Sequence, residues 1–105
     1  MENFLALERY SFSRGAIERA PLSPGIFGIF DKKELIYVGS TGEGLERTIR
    51  ECLTRHLDGL YGGCTANATR YCWEITISSR VRARELRSRF EAAHQHPPRC
   101  QQSED

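Results

Sequence analysis

The chain has no apolar run approaching the ~20 residues that cross a bilayer, and no charged N-terminal region followed by a long apolar core. The expectation is a protein with no membrane partner and no secretory leader, working in the cytoplasm. An excess of either charge is also missing: 15 Lys and Arg face 14 Asp and Glu, a formal +1. Bulk charge therefore gives no sign of a nucleic-acid partner, although an average conceals local patches. No C-x-x-C pair occurs among Cys52, Cys64, Cys72 and Cys100, and without a leader reduced thiols are expected. Cys52 and His56 are four apart, as are His96 and Cys100, which is a two-ligand spacing on one helical face. Cys52 lies on its helix's apolar stripe, where a small buried hydrophobe is the usual occupant, so structural zinc is not expected. Internal repeats are absent. At 105 residues the chain has room for one domain, burying only ~60–65% of the surface its unfolded form exposes.

The charge that is present is unevenly placed. Residues 1–60 carry eight Lys and Arg against nine acids, and the remainder carries seven Arg against five acids. Arg80, Arg82, Arg84, Arg87 and Arg89 crowd into ten residues with Glu85 the one acid among them. Such a cluster is either a solvated helix face or a local field that attracts phosphate.

Residues 1–20 read as a polar approach segment with two apolar clusters, Phe4-Leu5-Leu7 and Phe12-Ala16-Ile17. Pro21 and Pro24-Gly25 then launch an extended run. Ile26–Phe30 and Leu35–Val38 are rich in β-formers around an Asp31–Glu34 turn, which predicts a hairpin. Gly39–Gly44 is a loop. From Leu45 the period becomes helical, with Ile49, Cys52, Leu53, His56 and Leu60 on one stripe. Tyr71–Ile77 is a third strand. Ser78 or Ser79 can cap a last helix whose apolar side is Ala83, Leu86, Phe90 and Ala93, and Pro97-Pro98 stops it. Residues 21–100 thus form the domain and 101–105 a flexible tail. The fold class is α/β (α+β): a small three-stranded sheet, mixed or antiparallel, with flanking helices.

Two tripeptides stand on the paired strands: Gly25-Ile26-Phe27 and, ten residues on, Tyr37-Val38-Gly39. Together with the Leu22-Ser-Pro-Gly25 lead-in, the helix ending Arg55-His56-Leu57, the Glu85-bearing helix and Pro97-x-x-Cys100, they give a chain that resembles the GIY-YIG nuclease family. The likeness runs from about Phe12 to Cys100. It implies a divalent-metal-dependent endonuclease hydrolysing DNA phosphodiester bonds, with Mg²⁺ or Mn²⁺ on Glu85 and Glu91 as the alternative carboxylate. Tyr37 would orient water or contact phosphate, and His56 would relay a proton. Arg47 or Arg50 would neutralise the phosphate. Phe27, Gly39, Arg50, Arg80, Arg84 and Arg87 would contact substrate. The first motif carries Phe27 where the family has tyrosine, and phenylalanine neither accepts nor donates a proton. Ten residues beyond Tyr37 the spacing selects Arg47, whereas four back from His56 it selects Cys52. Cys100 stands where asparagine is common. A module on the same fold that binds nucleic acid or a protein partner without catalysis is the alternative. With no length for a separate recognition domain, specificity would come from the helix arginines, a homodimer or a partner.

Overall fold

The computed structural model describes residues 2–101. Its centre is β2 (Gly25–Asp31), an apolar run buried along nearly its whole length. A strand covered on both faces has no polar alternation to display. β2 pairs antiparallel with β3 (Glu34–Ser40) on one side and with β4 (Arg70–Ile75) on the other. A two-residue strand, β1 (Tyr10–Ser11), pairs antiparallel with β4 at the far edge. The sheet is therefore antiparallel and four-stranded, in the order β1-β4-β2-β3, where three strands were expected. The extra strand comes from the N-terminal twenty residues, which are not a mere approach. Phe4, Phe12, Ile17 and Ala20 are all buried.

Successive side chains of β2 point to opposite faces, and each face has its own helix layer. Phe27 and Ile29 pack with Ile36, Tyr71, and Ile49, Cys52 and Leu53 of α3 (Ile49–Leu57). Ile17 of the short helix α2 (Arg14–Ile17) joins this face. Ile26 and Phe30 pack on the other face with Ala83, Leu86 and Phe90 of α5 (Ser79–His94). There Phe4, from the N-terminal turn α1 (Glu2–Leu5), lies on Gly28, where any Cβ would come within 2.9 Å of its ring. A register shift between Ile29 and Phe30 leaves Ile36 unpaired in β3. This bulge puts Ile36 and Tyr37 on the α3 face, while Leu35 and Val38 serve the α5 face.

Local hydrogen bonds, not the apolar stripe, set the helix ends. Thr48 and Glu51 form a reciprocal capping box, so α3 starts at Ile49 and leaves Leu45 82% exposed. At the start of α5, Ser78 makes no side-chain cap; Ser79 instead donates to the Thr41 carbonyl, 3.0 Å away. α4 (Gly63–Ala66) is a single turn between α3 and β4.

Beyond α5 the chain crosses to the free edge of β3. The Cys100 amide donates to the Ile36 carbonyl at 2.8 Å. The Gln101 carboxamide both accepts from the Val38 amide and donates to its carbonyl, at 3.0 and 3.1 Å. Residue 101, expected to begin a flexible tail of 101–105, is thus anchored, and 102–105 lie outside the described residues. Cys64 and Cys100 form a disulfide, correcting the expectation of four reduced thiols; Cys52 and Cys72 remain buried thiols. No helix among the described residues is long and apolar enough to cross a membrane.

Candidate functional site

The bulge that turns Tyr37 toward α3 brings it against the last turn of that helix. The Tyr37 and His56 rings lie 4.7 Å apart, and Tyr61 closes on the other side of His56 at 4.6 Å. His56 is only 2% exposed, and its Nδ1 is 2.8 Å from Thr65 Oγ1 of α4. Burial pushes the imidazole down from its ordinary 6.5 to about 4, partly opposed by the Glu46 carboxylate. Burial, reinforced by the Glu43 carboxylate, pushes the Tyr37 phenol up to about 12. Tyr61 donates to the buried Glu46 carboxylate, and it too is raised to about 12, by desolvation first and by that hydrogen bond next. The three rings are therefore uncharged at neutral pH.

Beside them opens a cleft of about 880 Å³, lined by Tyr37, His56 and Tyr61 together with Arg80, Arg84 and Arg87. The arginines come together there because positions i, i+4 and i+7 fall on one helical flank. Over Gly42, Arg80 and Arg84 the cleft continues into a second hollow of about 630 Å³ that also contains Arg47. Gly42 takes φ +87 at this junction, a conformation that favours glycine. Among the described residues, the side chains of Arg47, Arg80 and Arg84 make no hydrogen bond or ion pair. Arg87 is tied down: it donates to the Val38 carbonyl at 3.1 Å and pairs with Glu43 at 3.4 Å.

The two candidate arginines of α3's approach are thereby separated. Arg47 faces the groove, whereas Arg50 Nε donates to the Ala20 carbonyl at 2.9 Å and holds the N-terminal segment against α3. Phe27 and Gly39 do not line the cleft. Phe27 is 2% exposed and packs beneath the Tyr37 and His56 rings. Gly39 is pressed so closely on Phe27 and Tyr37 that a Cβ would collide with both rings. They shape the floor without reaching what lies on it.

Glu85 stands elsewhere. It follows Arg84 by about 100° around the helix, and it turns toward the β4 side, where Arg82 pairs with it at 3.5 Å and with Glu74 at 3.2 Å. It lines neither hollow. The basic cluster is thus split, with Arg82 serving the ion pairs and Arg80, Arg84 and Arg87 the cleft. Among the described residues no group of three His, Cys, Asp or Glu could hold a metal ion. Glu85, the residue implied to hold Mg²⁺ or Mn²⁺, shares Arg82 with Glu74, and Glu91 is likewise outside the cleft.

The sequence reading did not single out Glu43, Glu46, Tyr61, Thr65 or Gln101. Tyr61 and Thr65 belong to a Gly-rich segment with no periodicity, and Glu46 sits in a loop where burial of an acid has no local signal. The class defined by the coordinates is an α+β fold with a four-stranded antiparallel sheet between helix layers. No protein-family model matches the chain, and no curated protein matches it.

Proposed function

We propose that this chain is a nucleic-acid-binding module that grips a phosphodiester backbone along the arginine-lined cleft. The observation that carries the reading is the pairing of unengaged guanidinium groups of Arg47, Arg80 and Arg84 with a floor of uncharged aromatic rings. Guanidinium presents forked donors to phosphate oxygens, and a neutral phenol such as Tyr37 adds a donor without adding charge. Arg80 to Arg87 spans about 10 Å of helix, and Arg47, Arg80 and Arg84 together offer three guanidinium groups to backbone phosphates. Backbone contacts of this kind position a duplex without reading its sequence. Specificity then comes from a second copy or a protein partner, and the module works in the cytoplasm. The endonuclease implied by the GIY-YIG resemblance has less support, because Glu85 does not line the cleft that Tyr37 and His56 line.

The test is binding to a labelled DNA duplex across a salt series. Three phosphate contacts give a slope of log K against log salt of about −3, and Arg84→Ala lowers its magnitude by about 1. Absence of binding in low salt defeats the reading. Cleavage in Mg²⁺ or Mn²⁺ that is abolished by Glu85→Ala would replace it with the nuclease.

A further inference from the structure

We infer that the Cys64–Cys100 disulfide is a thiol–disulfide exchange site that holds the cleft in its binding geometry, and that a dithiol reductant loosens it. The inference rests on the phosphodiester reading for its function and on the disulfide's position for its mechanics. The bond joins two segments that are 36 residues apart in sequence, and each segment is anchored beside one cleft ring. Cys64 precedes Thr65, the partner of His56 Nδ1. Cys100 and Gln101 bond to Ile36 and Val38, the neighbours of Tyr37 on β3. The bond therefore links the support of one ring to the support of the other.

Besides the disulfide, α4 is tied to α3 by the Thr65–His56 bond. The backbone and side-chain bonds of Cys100 and Gln101 give the C-terminal segment more ties than that. Gly59 and Gly62 adopt φ +79 and +100, and Gly62 offers no side-chain cap to α4. The tail retains the Arg99 ion pairs to Asp31 and Glu34, so breaking the bond frees α4 more than it frees the C-terminus. Cys64 is exposed and open to attack. A thiolate of the dithiol attacks Cys64 Sγ, the Cys64–Cys100 bond breaks, and Cys100 leaves as a thiolate. The second thiolate of the reagent resolves the mixed disulfide and releases Cys64. The dithiol becomes a disulfide, the protein gains two electrons, and the reagent's two protons end on Cys64 and Cys100. The co-reactant is thus any dithiol able to reach Cys64 Sγ.

The experiment compares the full chain oxidised and after dithiothreitol, by amide hydrogen exchange over residues 63–66 and 98–101, by the NMR resonance of His56, and by binding to a labelled duplex. Reduction should accelerate exchange in residues 63–66 by about tenfold or more, shift His56, and weaken duplex binding about tenfold as preorganisation is lost. The double variant Cys64→Ser, Cys100→Ser should show the reduced values with or without dithiothreitol. Unchanged exchange and an unshifted His56 overturn the inference, as does a reduced chain that unfolds, since the bond is then a folding requirement. Changed exchange with equal duplex binding in both states overturns the control of the cleft. Absence of duplex binding in both states defeats the phosphodiester reading separately, leaving exchange and the His56 resonance to decide the mechanics.

Discussion

Acidification from pH 7 to 4.5 should destabilise the fold through one side chain, His56. Its imidazole is buried with the Tyr37, Tyr61 and Phe27 rings around it, and it titrates at about 4 in the folded chain against an ordinary 6.5. The folded pKa is depressed, so between these values the unfolded chain binds the extra proton. Stability from this group is complete above about pH 6.5 and is lost as the pH falls toward 4. The difference is worth about 3 kcal/mol, a large part of the ~5–15 kcal/mol of an ordinary domain. Urea unfolding at a series of pH values, with wild type beside His56→Gln, measures it. The variant carries no titrating group there and should lose most of the slope between pH 6.5 and 4.5. Glu51 does not confound the window. Its carboxyl is held below the ordinary 4.5, first by the Arg47 amide, so its contribution is lost only as the pH falls below that value. An NMR titration midpoint for His56 near 6.5, or parallel profiles for the two proteins, would refute the reasoning.

Three further outcomes follow from the same geometry. Thr65→Val keeps the shape of the side chain but deprives buried His56 Nδ1 of its partner at 2.8 Å, and should cost ~1–3 kcal/mol in urea unfolding. Gly39→Ala forces a Cβ onto the Phe27 and Tyr37 rings; an overpacking loss of ~1–3 kcal/mol should appear in the melt, with the Tyr37 ring displaced in the NMR spectrum. Arg50→Ala should lower stability by ~1 kcal/mol through its lost bond to the Ala20 carbonyl. It should leave the salt slope of duplex binding unchanged, whereas Arg47→Ala should reduce it.

The hairpin was legible because Ile26–Phe30 and Leu35–Val38 are strong β-formers around a short polar turn. The bulge at Ile36 was not, since a strand apolar on both faces shows no broken alternation when one residue is added. Leu45 is in phase with Ile49, so periodicity alone starts α3 too early; the Thr48–Glu51 capping box overrides it with two hydrogen bonds. Phe4 reads as part of a polar approach segment because its partner, Gly28, is distant in sequence and signals nothing by itself. The disulfide was hidden for a similar reason, as no spacing rule connects Cys64 with Cys100. At the site, the motifs singled out Tyr37 and His56, and charge clustering singled out the arginine row, which the cleft brings together. Neither told the two flanks of α5 apart. Adjacent residues differ by about 100° around a helix, and that rotation takes Glu85 out of the wall that Arg84 belongs to.

The rotation matters because of what it leaves in the cleft. A general base works best with a pKa near the operating pH, and Tyr37 at about 12 is ionised in only about one part in 10⁵ at neutral pH. His56 has a free proton-accepting form at that pH, but its Nδ1 is engaged by Thr65 and its ring is almost wholly buried. Phe27 has no hydroxyl to substitute for either. Glu43 lines the cleft, yet Arg87 pairs with it, which offsets its charge and leaves Arg80 and Arg84 to set the local field. Arg80 and Arg84 add unengaged cations to a cleft lined by uncharged rings. They do not, by themselves, supply a group that activates water, and Glu85 lines neither hollow.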